Sequence, residues 1–187
     1  MRVRNTTARW GAVSQLLHWL IVAALAAQVS LGLAGAMLPI GVEKLATLAR
    51  HKSLGMTILA LVLARLMWRW MNPTPSLPGN LGPFERLLAR LTHAALYLLL
   101  LALPLTGWIM SSARGFPVSW FNLYQLPDLV GRSKPLYGAL LETHRILAIS
   151  LGVVVALHVA AAIKHHFVLK DDTLRRMLPS GPDTPSS

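Results

Sequence analysis

The chain has 187 residues, 54% of them hydrophobic, with a mean hydropathy of +0.52, so it is long enough for one domain but too apolar for a soluble one. Its formal net charge of +11 does not indicate nucleic-acid binding, because the basic residues are scattered at the ends of apolar segments instead of lying with aromatic residues on one polar face. It has no cysteine, which excludes iron–sulfur clusters held by thiolates, Cys-based zinc sites and covalently attached c-type haem.

Residues 1–12 form a basic, polar N-terminal segment, and the first apolar run begins at Val13. Residues 10–42 contain no charged side chain, which predicts a transmembrane helix over 13–37. A signal peptide also starts with basic residues, but its apolar core spans only about 7–15 residues, and here three further spans follow. His18 lies about 13 Å along the helix from Arg9, in the leaflet nearer the N-terminus. The other half carries small or polar residues suited to close helix contact: Gln28, Ser30, Gly32 and Gly35.

A second helix is predicted over 51–70, although its uncharged part, residues 53–64, is short for a membrane span. We expect the Arg65 side chain to snorkel toward a lipid headgroup, which extends the apolar helix to about Trp70. His51 opens this helix at its outer end. Gly55 lies four residues further on the same face and leaves room for a flat group beside the helix.

The third predicted helix, 91–112, follows a loop rich in proline and glycine between residues 69 and 90. His93 lies just inside its start, and Pro104 with Gly107 predicts a kink. The connection that follows, residues 113–141, is the longest in the chain. It is long enough to lie over the outer mouth of a helix bundle.

The fourth predicted helix, 143–166, carries two histidines on one face. His144 and His158 are fourteen residues apart, which is roughly 1400° of helical rotation and only about 40° short of four turns. They lie roughly 21 Å apart along the axis, so one falls in each leaflet. Residues 178–187 are predicted to be a disordered cytoplasmic tail.

The charge distribution predicts the orientation of this all-α, integral membrane four-helix bundle. Of the 18 lysines and arginines, 11 fall on the side of the two termini and 7 on the opposite side. The positive-inside rule then places both termini in the cytoplasm. His51 and His144 therefore lie near the periplasmic face, and His18 and His158 lie in the cytoplasmic half.

This histidine pattern indicates two b-type haems, one in each leaflet. Imidazole is the only ligand type present in number in the spans, because aspartate and glutamate are nearly absent from them. A haem iron whose two axial positions are both filled by imidazole transfers electrons and leaves little room for O₂ chemistry. A single intramembrane histidine is often just hydrogen-bonded to a neighbouring helix, but the joint pattern favours haem.

His93 competes with His158 as the partner of His18. It lies only about 4.5 Å beyond Arg90, whereas His158 lies about 9 Å inside Lys164, so depth favours His158.

Other polar residues near the membrane surfaces have two interpretations each. Lys52 and Arg145 each adjoin an outer histidine and would either bind haem propionates or snorkel to headgroups. His165 and His166 flank a lysine and are expected at the membrane interface.

Four sequence blocks closely resemble the bacterial cytochrome b561 family, the four-helix dihaem cytochromes of the inner membrane. They are RWGAVSQLLHWL, RHKSLG, HAALYLLLLALPLTGW, and HRILAISLG followed by LHVAAAIKHHF, in that order. The resemblance covers about residues 8–177, so we expect residues 13–177 to form one such domain. It implies the axial ligands His18, His51, His144 and His158, with His93 outside the ligand set.

The resemblance also implies electron exchange with the quinone pool. Some members of the family oxidise periplasmic superoxide to O₂ while they reduce ubiquinone. Related larger b subunits anchor hydrogenases and formate dehydrogenases, but this chain is short for those.

Two functions therefore stay open, because the electron donor is not evident from the residues. One is transfer from a small periplasmic donor such as superoxide, which a basic outer surface would attract, to ubiquinone. The other is a relay or membrane anchor for a partner redox protein, with its specificity in the loop 113–141. A small transporter is disfavoured because the spans lack a charged translocation site. The basic residues of the outer side are Lys44, Arg50, Lys52, Arg114, Arg132, Lys134 and Arg145.

Overall fold

Four long helices dominate the computed structural model, which describes residues 3–76 and 81–178. They are α1 (Ala12–Met37), α2 (Val42–Trp70), α3 (Pro83–Arg114) and α4 (Lys134–Ile163). All four are long and apolar enough to cross a membrane. The predicted all-α membrane bundle is thus confirmed. The shorter elements are the strands β1 (Ser119–Trp120) and β2 (Tyr124–Gln125), a π-helical turn (Lys164–Val168) and a 3₁₀ turn (Arg175–Met177).

Three of the helices begin earlier than the sequence predicts. They start at Val42, Pro83 and Lys134, whereas the uncharged runs predicted starts near residues 51, 91 and 143. The added turns carry charged residues that lie beyond the apolar layer, where water or headgroups solvate them. Local signals at the new starts are proline in the first turn of α3 and α4 and the Ser133 hydroxyl, which accepts a hydrogen bond from the Leu136 N–H at 3.4 Å.

The helices pack in chain order, and one side of the bundle stays open. α1 packs on α2, α2 on α3, and α3 on α4, whereas α4 makes little close backbone contact with α1 or α2. The buried apolar cluster lies between α1 and α2, where Ile21 meets Ile58 and Val62. The space between α4 and the α1–α2 pair is therefore where a flat group could be inserted.

The connection between α3 and α4 folds back onto α2, as expected for a loop over the outer mouth. Strands β1 and β2 form a small antiparallel hairpin. The buried Ser53 hydroxyl donates to the Ser119 carbonyl at 2.9 Å and accepts from the Phe121 N–H at 3.0 Å. The Trp120 indole donates to the Thr57 hydroxyl at 3.0 Å. The two Ser53 bonds satisfy backbone groups of the hairpin, and the Trp120 bond fixes the hairpin to α2.

At the opposite end, the C-terminal segment covers the start of α1. The Trp19 indole donates to the Met177 carbonyl at 2.9 Å, and the Gln15 amide donates to the Arg176 carbonyl at 3.1 Å. The predicted disordered tail, residues 178–187, lies outside the described residues from 179 onward.

A carboxylate holds the turn before this segment and gives it a predicted pH dependence. Burial of Asp171 favours its neutral form, but hydrogen bonds from Thr173 and from His165, at 2.5 Å, outweigh burial and lower its pKa. A lowered pKa in the folded state stabilises the turn above the ordinary carboxyl value of about 3.9, and the effect is lost as the pH falls through the folded value. We expect Asp171→Asn to increase amide hydrogen exchange in residues 169–178 at pH 7 and to abolish the acid dependence; unchanged exchange would contradict this.

Candidate metal centres

The outer pair consists of His51 on α2 and His144 on α4. Their ring centroids are 6.4 Å apart and the ring planes make an angle of 72°. Two imidazoles that bind one metal from opposite sides, each at about 2.0 Å, have centroids roughly 6 Å apart. The pair can thus accept a metal ion between its rings.

Hydrogen bonds orient the two outer rings. His51 Nδ1 lies 3.2 Å from the Gln28 carbonyl oxygen, to which it can only donate, so Nε2 is the nitrogen that could bind a metal. The Gln28 side-chain amide nitrogen lies 3.3 Å from this Nε2, and a metal would have to displace it. His144 Nδ1 lies 3.1 Å from the Thr106 hydroxyl. Partners of this kind fix the tautomer and direction of a ligand ring. The Gln28 side-chain oxygen is buried and has no hydrogen-bond partner in the described part of the chain. One acceptor beside the outer pair is therefore unsatisfied.

Glycines let both outer rings lie against neighbouring helices. A Cβ added at Gly32 would lie 3.1 Å from His51 Cε1, and one added at Gly107 would lie 3.3 Å from His144 Cε1. The sequence predicted space for a flat group beside Gly55. That glycine is buried, and a Cβ there would lie 3.1 Å from the Gln28 amide nitrogen, so the Gln28 side chain fills this space.

The inner pair consists of His18 on α1 and His158 on α4, and it repeats the outer geometry. The centroids are again 6.4 Å apart and the planes again make 72°. His93 lies closer to His158, at 5.4 Å between centroids, which is shorter than the roughly 6 Å expected for two imidazoles that bind one metal from opposite sides. His93 Nδ1 also bonds its own helix, at 2.7 Å from the Ala89 carbonyl oxygen. The geometry supports His18 with His158, although the assignment itself stays a prediction.

Each site offers two facing imidazoles, and the inner site has the His93 ring beside them. No group of three or more His, Cys, Asp or Glu side chains suited to a metal ion occurs within residues 3–76 and 81–178. Structural zinc requires about four protein ligands, whereas a haem brings four equatorial nitrogens and needs only axial ones. The donor sets therefore fit haem.

The two cations predicted to contact haem propionates are placed differently. The Lys52 ammonium donates to the Ser111 hydroxyl at 3.2 Å and to the Pro117 carbonyl at 3.0 Å, and so ties α2 to the outer loop. Arg145 is exposed and lies 3.8 Å from the Glu142 carboxylate. A propionate role stays a prediction for both, and for Lys52 it requires these bonds to break.

Arg65 differs from the sequence expectation, because it turns into the bundle instead of snorkelling outward. Its Nη1 donates to the Ser14 carbonyl at 2.6 Å, and its Nε donates to the Tyr97 hydroxyl at 3.2 Å. A carbonyl and a phenol inside the bundle therefore replace the headgroup that the sequence suggested. One guanidinium thus links α1, α2 and α3 near the inner pair.

Comparisons with known proteins agree with this architecture. A family model described as prokaryotic cytochrome b561 matches residues 9–180. The chain is 37% identical over 184 residues to cytochrome b561 homolog 2 of Escherichia coli strain K12, with 95% of both chains covered. It is 36% identical over 129 residues to the Yersinia pestis protein named "Probable superoxide oxidase CybB", and 29% identical over 130 residues to cytochrome b561 homolog 1 of E. coli K12; each alignment covers 69% of this chain and 73% of the relative.

Proposed function

Because the chain belongs to the prokaryotic cytochrome b561 family, we propose that it is a dihaem cytochrome that passes electrons from a periplasmic donor to ubiquinone. Family membership makes it a multi-pass membrane protein that binds haem b and functions in electron transfer. The two-haem count is supported by the two histidine pairs, whose centroid distance and ring angle are the same. This repetition is the observation that carries the proposal.

In this proposal the chain supplies axial ligands and their orientation. His51 and His144 would hold the outer haem, and His18 and His158 the inner one. Each haem, when bound, supplies reversible one-electron chemistry between Fe(III) and Fe(II). Hydrogen bonds to the Gln28 carbonyl and the Thr106 hydroxyl would fix the orientation of the outer rings toward the metal. Because both pairs share α4, one rigid helix sets the separation between the two sites.

The overall reaction needs two turnovers of a one-electron donor for each quinone. With superoxide as the donor, two superoxide anions lose one electron each and give two O₂, while one ubiquinone takes up two electrons and two protons and gives ubiquinol. Similarity to a relative named as a superoxide oxidase supports this donor. The basic residues of the outer side support it too, since they would attract a small anion.

The proposed location is the bacterial inner membrane, with both termini in the cytoplasm. The excess of lysine and arginine on the side of the termini supports this orientation. It places the outer pair, and the hairpin β1–β2, on the periplasmic side.

A second candidate function is an electron relay for a periplasmic partner protein. The tip of the outer hairpin favours it, since the side chains of Trp120, Phe121 and Tyr124 are exposed there. Aromatic residues are enriched at protein interfaces. A relay would use the same two haems but would take its electrons from a docked protein.

Stopped-flow spectroscopy of the purified protein tests the donor. We expect superoxide to reduce the haems rapidly and ubiquinone to reoxidise them. Raising the ionic strength should slow the superoxide step severalfold, because salt screens the attraction between the basic outer side and the anion. If superoxide leaves the haems oxidised while a periplasmic protein reduces them, the relay function is correct. A purified protein that contains no b haem would refute both candidate functions.

A further inference from the structure

Arg65 is a charged side chain inside the bundle with no carboxylate beside it. It is half-buried, and none of the ion pairs in the described part of the chain includes it. Its hydrogen-bond partners, the Ser14 carbonyl and the Tyr97 hydroxyl, are both neutral. A charge at membrane depth is costly to place and is usually functional.

Arg65 lies near the inner histidine pair. Ser14 lies one helical turn before His18 on α1, so its carbonyl is the one that accepts the His18 backbone N–H in a regular helix. Arg65 also lies within Coulombic reach of His18 and His158. By contrast, the basic residues that follow the outer histidines turn to other partners: the Lys52 ammonium donates to the outer loop, and Arg145 is exposed beside Glu142.

A cation in this position should affect electron affinity. Reduction of a haem iron adds one negative charge, so a nearby fixed cation stabilises the reduced form. The interaction is strong here, because the surroundings have a low dielectric constant and no counter-charge cancels the guanidinium. The cations next to the outer histidines are placed differently: Lys52 is bonded to the outer loop, and Arg145 is exposed beside the Glu142 carboxylate. Water and the carboxylate screen Arg145, and Lys52 points to the loop, so we expect the larger effect at the inner site.

We propose that Arg65 raises the reduction potential of the inner haem and so makes it the electron acceptor of the pair. The proposal rests on the two-haem function proposed above and adds a direction to it. One electron leaves the outer haem, which is oxidised, and reduces the inner haem, and no bond forms or breaks. Arg65 would thus act on the inner haem through its positive charge and would not bind the iron.

Variants that remove the charge of Arg65 can be compared with variants that keep the charge but change its hydrogen bonds. This comparison separates an electrostatic role of Arg65 from a purely structural one. Arg65→Gln removes the charge and the paired hydrogen bonds, whereas Arg65→Lys keeps the charge but loses the planar fork. Tyr97→Phe removes only the bond to Nε. Tyr97→Glu keeps Arg65 and places a carboxylate beside it, which cancels its charge.

The test is a spectroelectrochemical titration of the purified holoprotein, followed in the visible bands of the haems. We expect Arg65→Gln to move one of the two waves to lower potential, with at least a tenfold change in that haem's reduced-to-oxidised ratio at fixed potential, or about 59 mV for one electron. The other wave should stay in place. Tyr97→Glu should move the same wave in the same direction, while Arg65→Lys and Tyr97→Phe should change the ratio less than threefold.

Arg69→Gln is the matched control for loss of a positive charge. Arg69 lies one turn further along α2, with its guanidinium 5.9 Å from the ring centres of Trp10 and Tyr97. Arg69 acts on His93 but not on His18 or His158, so its removal should change the ratio of the inner haem less than threefold.

Three results would overturn the proposal: unmoved waves in Arg65→Gln, an equal shift in Arg65→Lys, or an equal shift in Arg69→Gln. If Arg65→Gln does not assemble, the contrast between Arg65→Lys and Tyr97→Glu decides the question. A wild-type protein without two haems would refute the proposed function instead. Two haems with potentials that do not respond would refute only the role of Arg65.

Discussion

His158→Ala should reduce the haem content from two b haems per chain to one, whereas His93→Ala should keep both. His158 faces His18 at the same 6.4 Å and 72° that relate the outer pair, so on the proposed assignment its loss would leave the inner iron with one axial ligand. His93 lies too close to His158 for the two rings to bind one metal from opposite sides, and it bonds the Ala89 carbonyl of its own helix. Pyridine haemochrome analysis of each purified variant gives the ratio directly.

The two variants control for each other, because both replace an inner-side histidine by alanine. The haem that remains in His158→Ala should keep the spectrum and the potential of the outer haem. Loss of a haem in His93→Ala with retention in His158→Ala would reverse the assignment and pair His93 with His18.

The sequence could predict that these histidines face each other in pairs, because the relevant information is periodic and local. His144 and His158 share a face of one helix by their spacing alone, and the distance of each histidine from the nearest charge gives its depth in the membrane. Depth then separates outer from inner histidines. The membrane limits the choices further, since few elements can cross it.

Contacts that depend on how helices rotate about one another could not be predicted. Arg65 was expected at the headgroups, but the Tyr97 hydroxyl and the Ser14 carbonyl, on two other helices, hold it inside. Thr106 beside His144 gave no signal, since nothing in one sequence aligns α3 with α4. Gln28 and Gly32 are four residues apart, so their common face toward α2 was detectable as a pattern, but its partner, His51, was not.

Gly32→Leu and Gly107→Leu should each cost the outer haem while the inner one is retained. A Cβ at these positions already lies 3.1 Å from His51 Cε1 or 3.3 Å from His144 Cε1, and the leucine branch extends further toward the ring. A displaced ring cannot keep a metal–nitrogen bond of about 2.0 Å. Haemochrome analysis should therefore give about one b haem per chain in both variants.

Gly152→Leu is the control for adding a leucine to a helix of this bundle. A Cβ added at Gly152 meets nothing within 4 Å, and this glycine lies on α4 between His144 and His158. The control variant should keep both haems. Loss of both haems from the Gly32 or Gly107 variants would indicate general misfolding, and full retention would show that the outer rings do not depend on close approach to α1 and α3. The expected loss of one haem, from opposite sides of the same site, would place the outer metal between His51 and His144.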